Sequence, residues 1–134
     1  MKQVEHIGIA VKDLDQAIDH FSSLLNTPCY KTEEVESQQV TTAFFQLKEQ
    51  KIELLAASSP QSTIAKYLER YGEGIHHIAF EVDDIDAEIQ RLREQGFTPI
   101  NKVPFKGADN KMVAFFHPKT THGVLVEICQ EIKV

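Results

Sequence analysis

Apolar residues fall into short strand-like runs separated by stretches of helical period. Residues 4–11 and 75–82 are apolar and rich in β-branched side chains, which predicts a strand at each. Behind the first run, Leu14, Ala17, Ile18, Phe21, Leu24 and Leu25 recur at helical spacing. Asp13 predicts the N-cap of that helix, with Gln16 three residues on in the manner of a capping box. Behind the second run, Asp84 predicts a cap, Ile85, Ile89 and Leu92 an apolar stripe, and Gly96 the residue just past the helix end. Further strands are expected at about 28–36, 39–47 and 50–56, and again at about 97–104, 111–117 and 123–131. Each half is thus β-α-β-β-β, and the fold class is α+β. The intervening stretch begins with Ser and Pro and carries Ile64, Ala65 and Leu68, predicting a short amphipathic connector helix that ends near Gly72.

The two halves are related in sequence. At a shift of 71 positions, His6-Ile7-Gly8-Ile9-Ala10-Val11 falls on His77-Ile78-Ala79-Phe80-Glu81-Val82, and Asp13 falls on Asp84. At the same shift Ala43-Phe44-Phe45 falls on Ala114-Phe115-Phe116. Glu53 lies 8 positions after Phe45, whereas Glu127 lies 11 after Phe116, so the last strands match at a shift of 74. Three extra residues near 119–123 would lengthen a hairpin loop and spare the strands it joins. We read a duplicated module in one domain spanning 1–134: module 1 at about 4–56, a connector at about 58–72, and module 2 at about 75–131.

Composition narrows the function classes. With 134 residues, 42% hydrophobic and 25% charged, the chain suits one globular domain. Fourteen Lys and Arg against 20 Asp and Glu give a net charge of −6, without the basic footprint that nucleic-acid binding needs. No apolar run reaches membrane-spanning length, and the polar start of the chain is not a signal peptide. Cys29 and Cys129 are too few for a disulfide framework. The expectation is a cytoplasmic protein without nucleic-acid or membrane partners.

The duplication singles out His6 with Glu53, and His77 with Glu127: a His on the first strand and a Glu on the last strand of each module. Around a pseudo-two-fold axis, equivalent positions are expected to converge. Two imidazoles and two carboxylates would then form a donor set for one divalent ion such as Co, Zn, Ni or Mn. Strand alternation sends His76 to the other face. His20 falls on Arg91 in the second half and reads as a solvated helix residue, while His117 and His122 lie in or near the loop that has no counterpart. Cys29 and Cys129 read as core residues, Glu33, Glu34 and Glu36 as a solvated edge, and Lys102, Lys106, Lys111 and Lys119 as surface lysines that could face an anion.

The pattern resembles the vicinal oxygen chelate superfamily, and within it the methylmalonyl-CoA epimerases. The carrying strings are His6-Ile7-Gly8-Ile9-Ala10-Val11, Ile52-Glu53-Leu54-Leu55, Ser62-Thr63-Ile64-Ala65-Lys66-Tyr67-Leu68, Gly74-Ile75-His76-His77-Ile78-Ala79-Phe80, and Phe116-His117-Pro118-Lys119 followed by Gly123-Val124-Leu125-Val126-Glu127. The resemblance implies eight strands in an open, U-shaped barrel around one metal, with His6, Glu53, His77 and Glu127 as ligands and Glu127 as a candidate base. It implies an acyl-CoA substrate, methylmalonyl-CoA, epimerised through an enolate, and a homodimer, as is common among relatives. Glyoxalase I relatives use the same four positions, so a lyase acting on a thiol hemiacetal is the alternative, followed by a metal-free ligand-sequestering protein of the same fold. One departure stands out. Some epimerases carry a further carboxylate on the strand that here reads Gln39-Val40-Thr41-Thr42-Ala43, where this chain has no acid.

Overall fold

The structure is a computed structural model and describes residues 1–132. In chain order the elements are β1 (Gln3–Ala10), α1 (Leu14–Leu25), β2 (Lys31–Val35), β3 (Val40–Leu47), β4 (Gln50–Ala57), α2 (Thr63–Tyr71), β5 (Gly74–Glu81), α3 (Ile85–Glu94), β6 (Phe105–Lys106), β7 (Lys111–Phe116) and β8 (Val126–Glu131). The class is α+β, with the eight strands and the two βαβββ modules that the sequence predicts. The chain divides into an amino-terminal unit, His6–His76, and a carboxy-terminal unit made of His77–Val134 together with Met1–Glu5.

In the amino-terminal unit the strand order is β2-β3-β4-β1. β2, β3 and β4 form an antiparallel meander, and β1 runs parallel to β4. A parallel pair needs a crossover, and α1 begins it. Asp13 caps α1 by accepting from the Gln16 amide at 3.1 Å, as its spacing predicts. The apolar stripe of α1, Leu14, Ala17, Ile18, Phe21 and Leu25, packs on Ala43, Phe45, Leu54 and Ala56 from one sheet face. That choice of face leaves the alternate residues His6, Thr42, Phe44, Lys51 and Glu53 on the other. The connector helix α2, capped by Ser62, covers one end of that opposite face by packing Ile64, Tyr67 and Leu68 against Ala10, Val40 and Leu55.

In the carboxy-terminal unit the corresponding order is β6-β7-β8-β5, again with the first and last strands parallel. Ile85, Ile89 and Leu92 of α3 pack on Ala114, Phe116 and Ile128. Gly96 takes φ +94°, and the amides of Gly96 and Phe97 bond back to Arg93 and Leu92, which closes the helix as its glycine predicts. The registers repeat with the sequence: Gly8 and Phe44 flank Glu53, and Ala79 and Phe115 flank Glu127.

One expected strand is corrected. Residues 97–104 form no strand, only an isolated bridge from Pro99 to Phe116, and pairing resumes at the two-residue β6. Pro99 and Pro104 lack the amide that a ladder needs. Single bonds hold the segment instead, among them Phe115 N–H to Asn101 Oδ1 at 2.9 Å. β2 likewise starts at Lys31, after Pro28.

Phe45 is fully buried beneath α1. Phe45→Ala should cost about 3–5 kcal/mol of stability, read from the midpoint of urea unfolding at unchanged slope.

Candidate functional site

The four residues singled out by the repeat are all buried, none more than 5% exposed. In the amino-terminal unit, His6 Nδ1 lies 3.1 Å from Glu53 Oε2. In the carboxy-terminal unit, His77 Nε2 lies 3.2 Å from Glu127 Oε1. Each module brings its own pair together through the same device, the parallel contact of its first and last strands. The second imidazole is also fixed by an aromatic neighbour: the Phe115 ring stands edge-on to His77, with centroids 5.6 Å apart.

Buried carboxylates need a compensating charge or hydrogen bond, and each Glu has an imidazole beside it. The spacing also fits shared coordination. Two donors about 2.1 Å from one ion would lie about 3.0 Å apart at a right angle and about 3.4 Å apart at the tetrahedral angle, and the observed 3.1 and 3.2 Å fall between. Imidazole with carboxylate is a donor set for divalent first-row ions.

The remaining candidates sort clearly. His20 is exposed on α1. His76 stands edge-on to the Tyr67 ring, with centroids 4.8 Å apart. His117 accepts the Lys119 amide and caps a short 3-10 turn, and His122 is exposed with φ +56°. Cys29 and Cys129 are free thiols packed among apolar residues. Lys102, Lys106 and Lys119 are exposed and Lys111 half-buried. In the acidic run, Glu34 on β2 and Glu36 in the turn after it are exposed, while Glu33 sits half-buried 3.6 Å from Lys31.

Lys51 escaped the sequence reading. It is 6% exposed, among the few buried charged residues of the chain. Its signal was its spacing: two positions before Glu53, it shares that residue's strand face. Thr42 is buried on the same face at 1% exposure, in the stretch where some relatives carry a carboxylate.

Comparison with known proteins decides the family. Residues 5–115 match the Glyoxalase/Bleomycin resistance protein/Dioxygenase superfamily. The chain belongs to this superfamily. Within the superfamily, it is 38% identical to the uncharacterized protein YqjC of Bacillus subtilis (strain 168), over 97% of this chain and 93% of that one. It is also 38% identical to the ethylmalonyl-CoA/methylmalonyl-CoA epimerase of Cereibacter sphaeroides, over 96% and 97%. A Streptomyces coelicolor methylmalonyl-CoA epimerase solved with 2-nitronate-propionyl-CoA superposes with a TM-score of 0.95 at 31% identity, covering 99% of both chains. Epimerases are isomerases, and these superfamily members share the whole length of the chain.

Breaking one pair should destabilise the fold more than replacing both partners, because a lone buried charge is the costly state. In chelator, His77→Leu should lose about 3 kcal/mol or more, and His77→Leu with Glu127→Leu markedly less. Equal losses in denaturant melts would contradict this account of the pair.

Proposed function

We propose that the protein is a divalent-metal-dependent epimerase of methylmalonyl-CoA, in which His6, Glu53, His77 and Glu127 hold one ion of Co, Zn, Ni or Mn. The observation that carries this is the duplicated, buried His–Glu pair at register-equivalent positions of both modules. Relatives spanning the full chain are methylmalonyl-CoA epimerases, and the nitronate bound to one of them is a planar anion with the shape of a thioester enolate.

When bound, the ion supplies Lewis-acid stabilisation of the charge that develops on the thioester oxygen. Glu127, as a ligand able to loosen from the ion, would take the proton from the carbon between thioester and carboxylate. Epimerisation is complete when a proton returns to the other face of that carbon. The apolar surroundings of Glu127, including Ala79, Cys129 and Phe115, keep water from competing for the charge.

The two units work as a single domain in this reading, and the protein acts as a homodimer in the cytoplasm, where its two free thiols stay reduced. Among the described residues no helix is long and apolar enough to cross a membrane.

Incubating metal-loaded protein with one epimer of methylmalonyl-CoA in D₂O should place deuterium at the α-carbon and yield both epimers. Chelation, His77→Ala or Glu127→Ala should each reduce label incorporation at least about 100-fold, as loss of a general base typically does. Unlabelled substrate, or turnover only of methylglyoxal with a thiol, would remove the epimerase reading. Metal analysis should find one ion per chain, and far less in His6→Ala or Glu53→Ala.

A further inference from the structure

We infer that Asn101 is a positioning residue: its side-chain carbonyl seats Phe115, and through the Phe115 ring it sets the imidazole of His77. The grounds lie wholly within the carboxy-terminal unit, and the bearing on catalysis rests on the epimerase reading above.

β7 loses its outer strand partner just where it meets the His77–Glu127 pair. The β6–β7 ladder sets Phe105 opposite Val113 and Lys106 opposite Met112. Carried on by two residues, that register would set Val103 opposite Phe115. Val103 instead turns out to solvent, 72% exposed. The chain meets Phe115 with two earlier residues. Ile100 donates its amide to the Phe115 carbonyl at 2.8 Å, and Asn101 Oδ1 accepts the Phe115 amide at 2.9 Å. Only the oxygen of a side-chain amide can accept, so this bond also fixes which way the Asn101 amide is turned.

Phe44, the counterpart of Phe115 in the other half, is served differently. Tyr30 donates to the Phe44 carbonyl at 3.0 Å, as Ile100 does to that of Phe115. The next residue, Lys31, already belongs to β2 and faces Phe44 in the ladder. Asn101 thus does with a side chain what β2 does with a backbone. An outward loop at a sheet edge beside a site commonly re-aims a side chain, and here Phe115 is the side chain held.

Both backbone groups of Phe115 point away from β8, toward residues 100 and 101. Its pairing with Glu127 is therefore of the non-hydrogen-bonded kind, in which facing side chains stand closest. The ring is also confined. Phe105 stacks on it at 6.3 Å with 27° between the planes, and His77 stands at 5.6 Å and 87°. A ring so enclosed shifts when its backbone shifts, and the imidazole against it shifts too. His77 Nε2 lies 3.2 Å from Glu127 Oε1, so a small rotation of the imidazole is enough to lose that contact. Outer groups that orient a metal-binding histidine act in this way, without touching the ion themselves.

The test is NMR of histidine-labelled protein in chelator at one fixed pH, with ring protons assigned by single replacements. In wild-type protein the Phe115 ring current should displace the carbon-bound ring protons of His77, and Phe115→Leu should mark their undisplaced position. Asn101→Leu, which removes the acceptor and keeps the size, should lose most of that displacement. Asn101→Asp, which keeps an acceptor, should regain it, and His6 should stay in place throughout. Asn101→Ala serves if the Leu variant does not fold, and loss of folding in both would overturn the inference as the mark of a purely structural residue. A folded Leu or Ala variant with His77 unmoved overturns it, as does one in which His6 moves as far as His77, or an Asp variant that behaves like the Leu one. Displacement that depends on Asn101, in protein that exchanges no α-hydrogen of methylmalonyl-CoA, would sustain this inference and defeat the epimerase reading. Normal exchange with His77 indifferent to Asn101 would do the reverse.

Discussion

Everything at the site depends on burying carboxylates. Glu53 and Glu127 lie inside β-sheet, where an unpaired charge would cost more than most single contacts return. Each is tolerated because the parallel contact of the first and last strands of its module brings an imidazole to within hydrogen-bonding distance. The helices serve the same constraint from the other side. By taking up the apolar residues of one sheet face, α1 and α3 leave the alternate residues, chemistry included, on the opposite face.

Duplication explains how so short a chain carries two such pairs. Each βαβββ module carries one such His–Glu pair, and in the proposed ion site the two copies would together supply four donors. The same logic gives meaning to positions where the copies differ. Lys51 against Leu125, and Thr42 against Val113, are departures on otherwise matched strand faces. Departures of this kind are where a symmetric scaffold becomes able to treat an asymmetric ligand.

Much of this was legible in the sequence because it rests on local or periodic signals. Asp13, Ser62 and Asp84 announce helix starts through side chains that accept nearby amides, and all three do so in the structure. The His–Glu pairs were legible through the shift that relates the halves. Residues 97–104 were misread because their apolar content suggested a strand, while the missing amides of Pro99 and Pro104 govern pairing. Lys51 was passed over for another reason. Alternation says that it shares a face with Glu53, but only the structure shows that face to be buried, at His6, Thr42, Phe44 and Glu53 as well as Lys51.

The joining of first and last strand has a kinetic side. In each module the hairpins close over a few residues, as at the Lys48–Glu49 turn between β3 and β4, whereas β1 must meet β4, and β5 must meet β8, across nearly the whole module. Contacts so distant along the chain form late, after local structure has bound their ends. The His–Glu pair is therefore a closing bond of its module. A nascent or half-folded chain presents no assembled pair, so the ion site we propose would be acquired only with the finished fold.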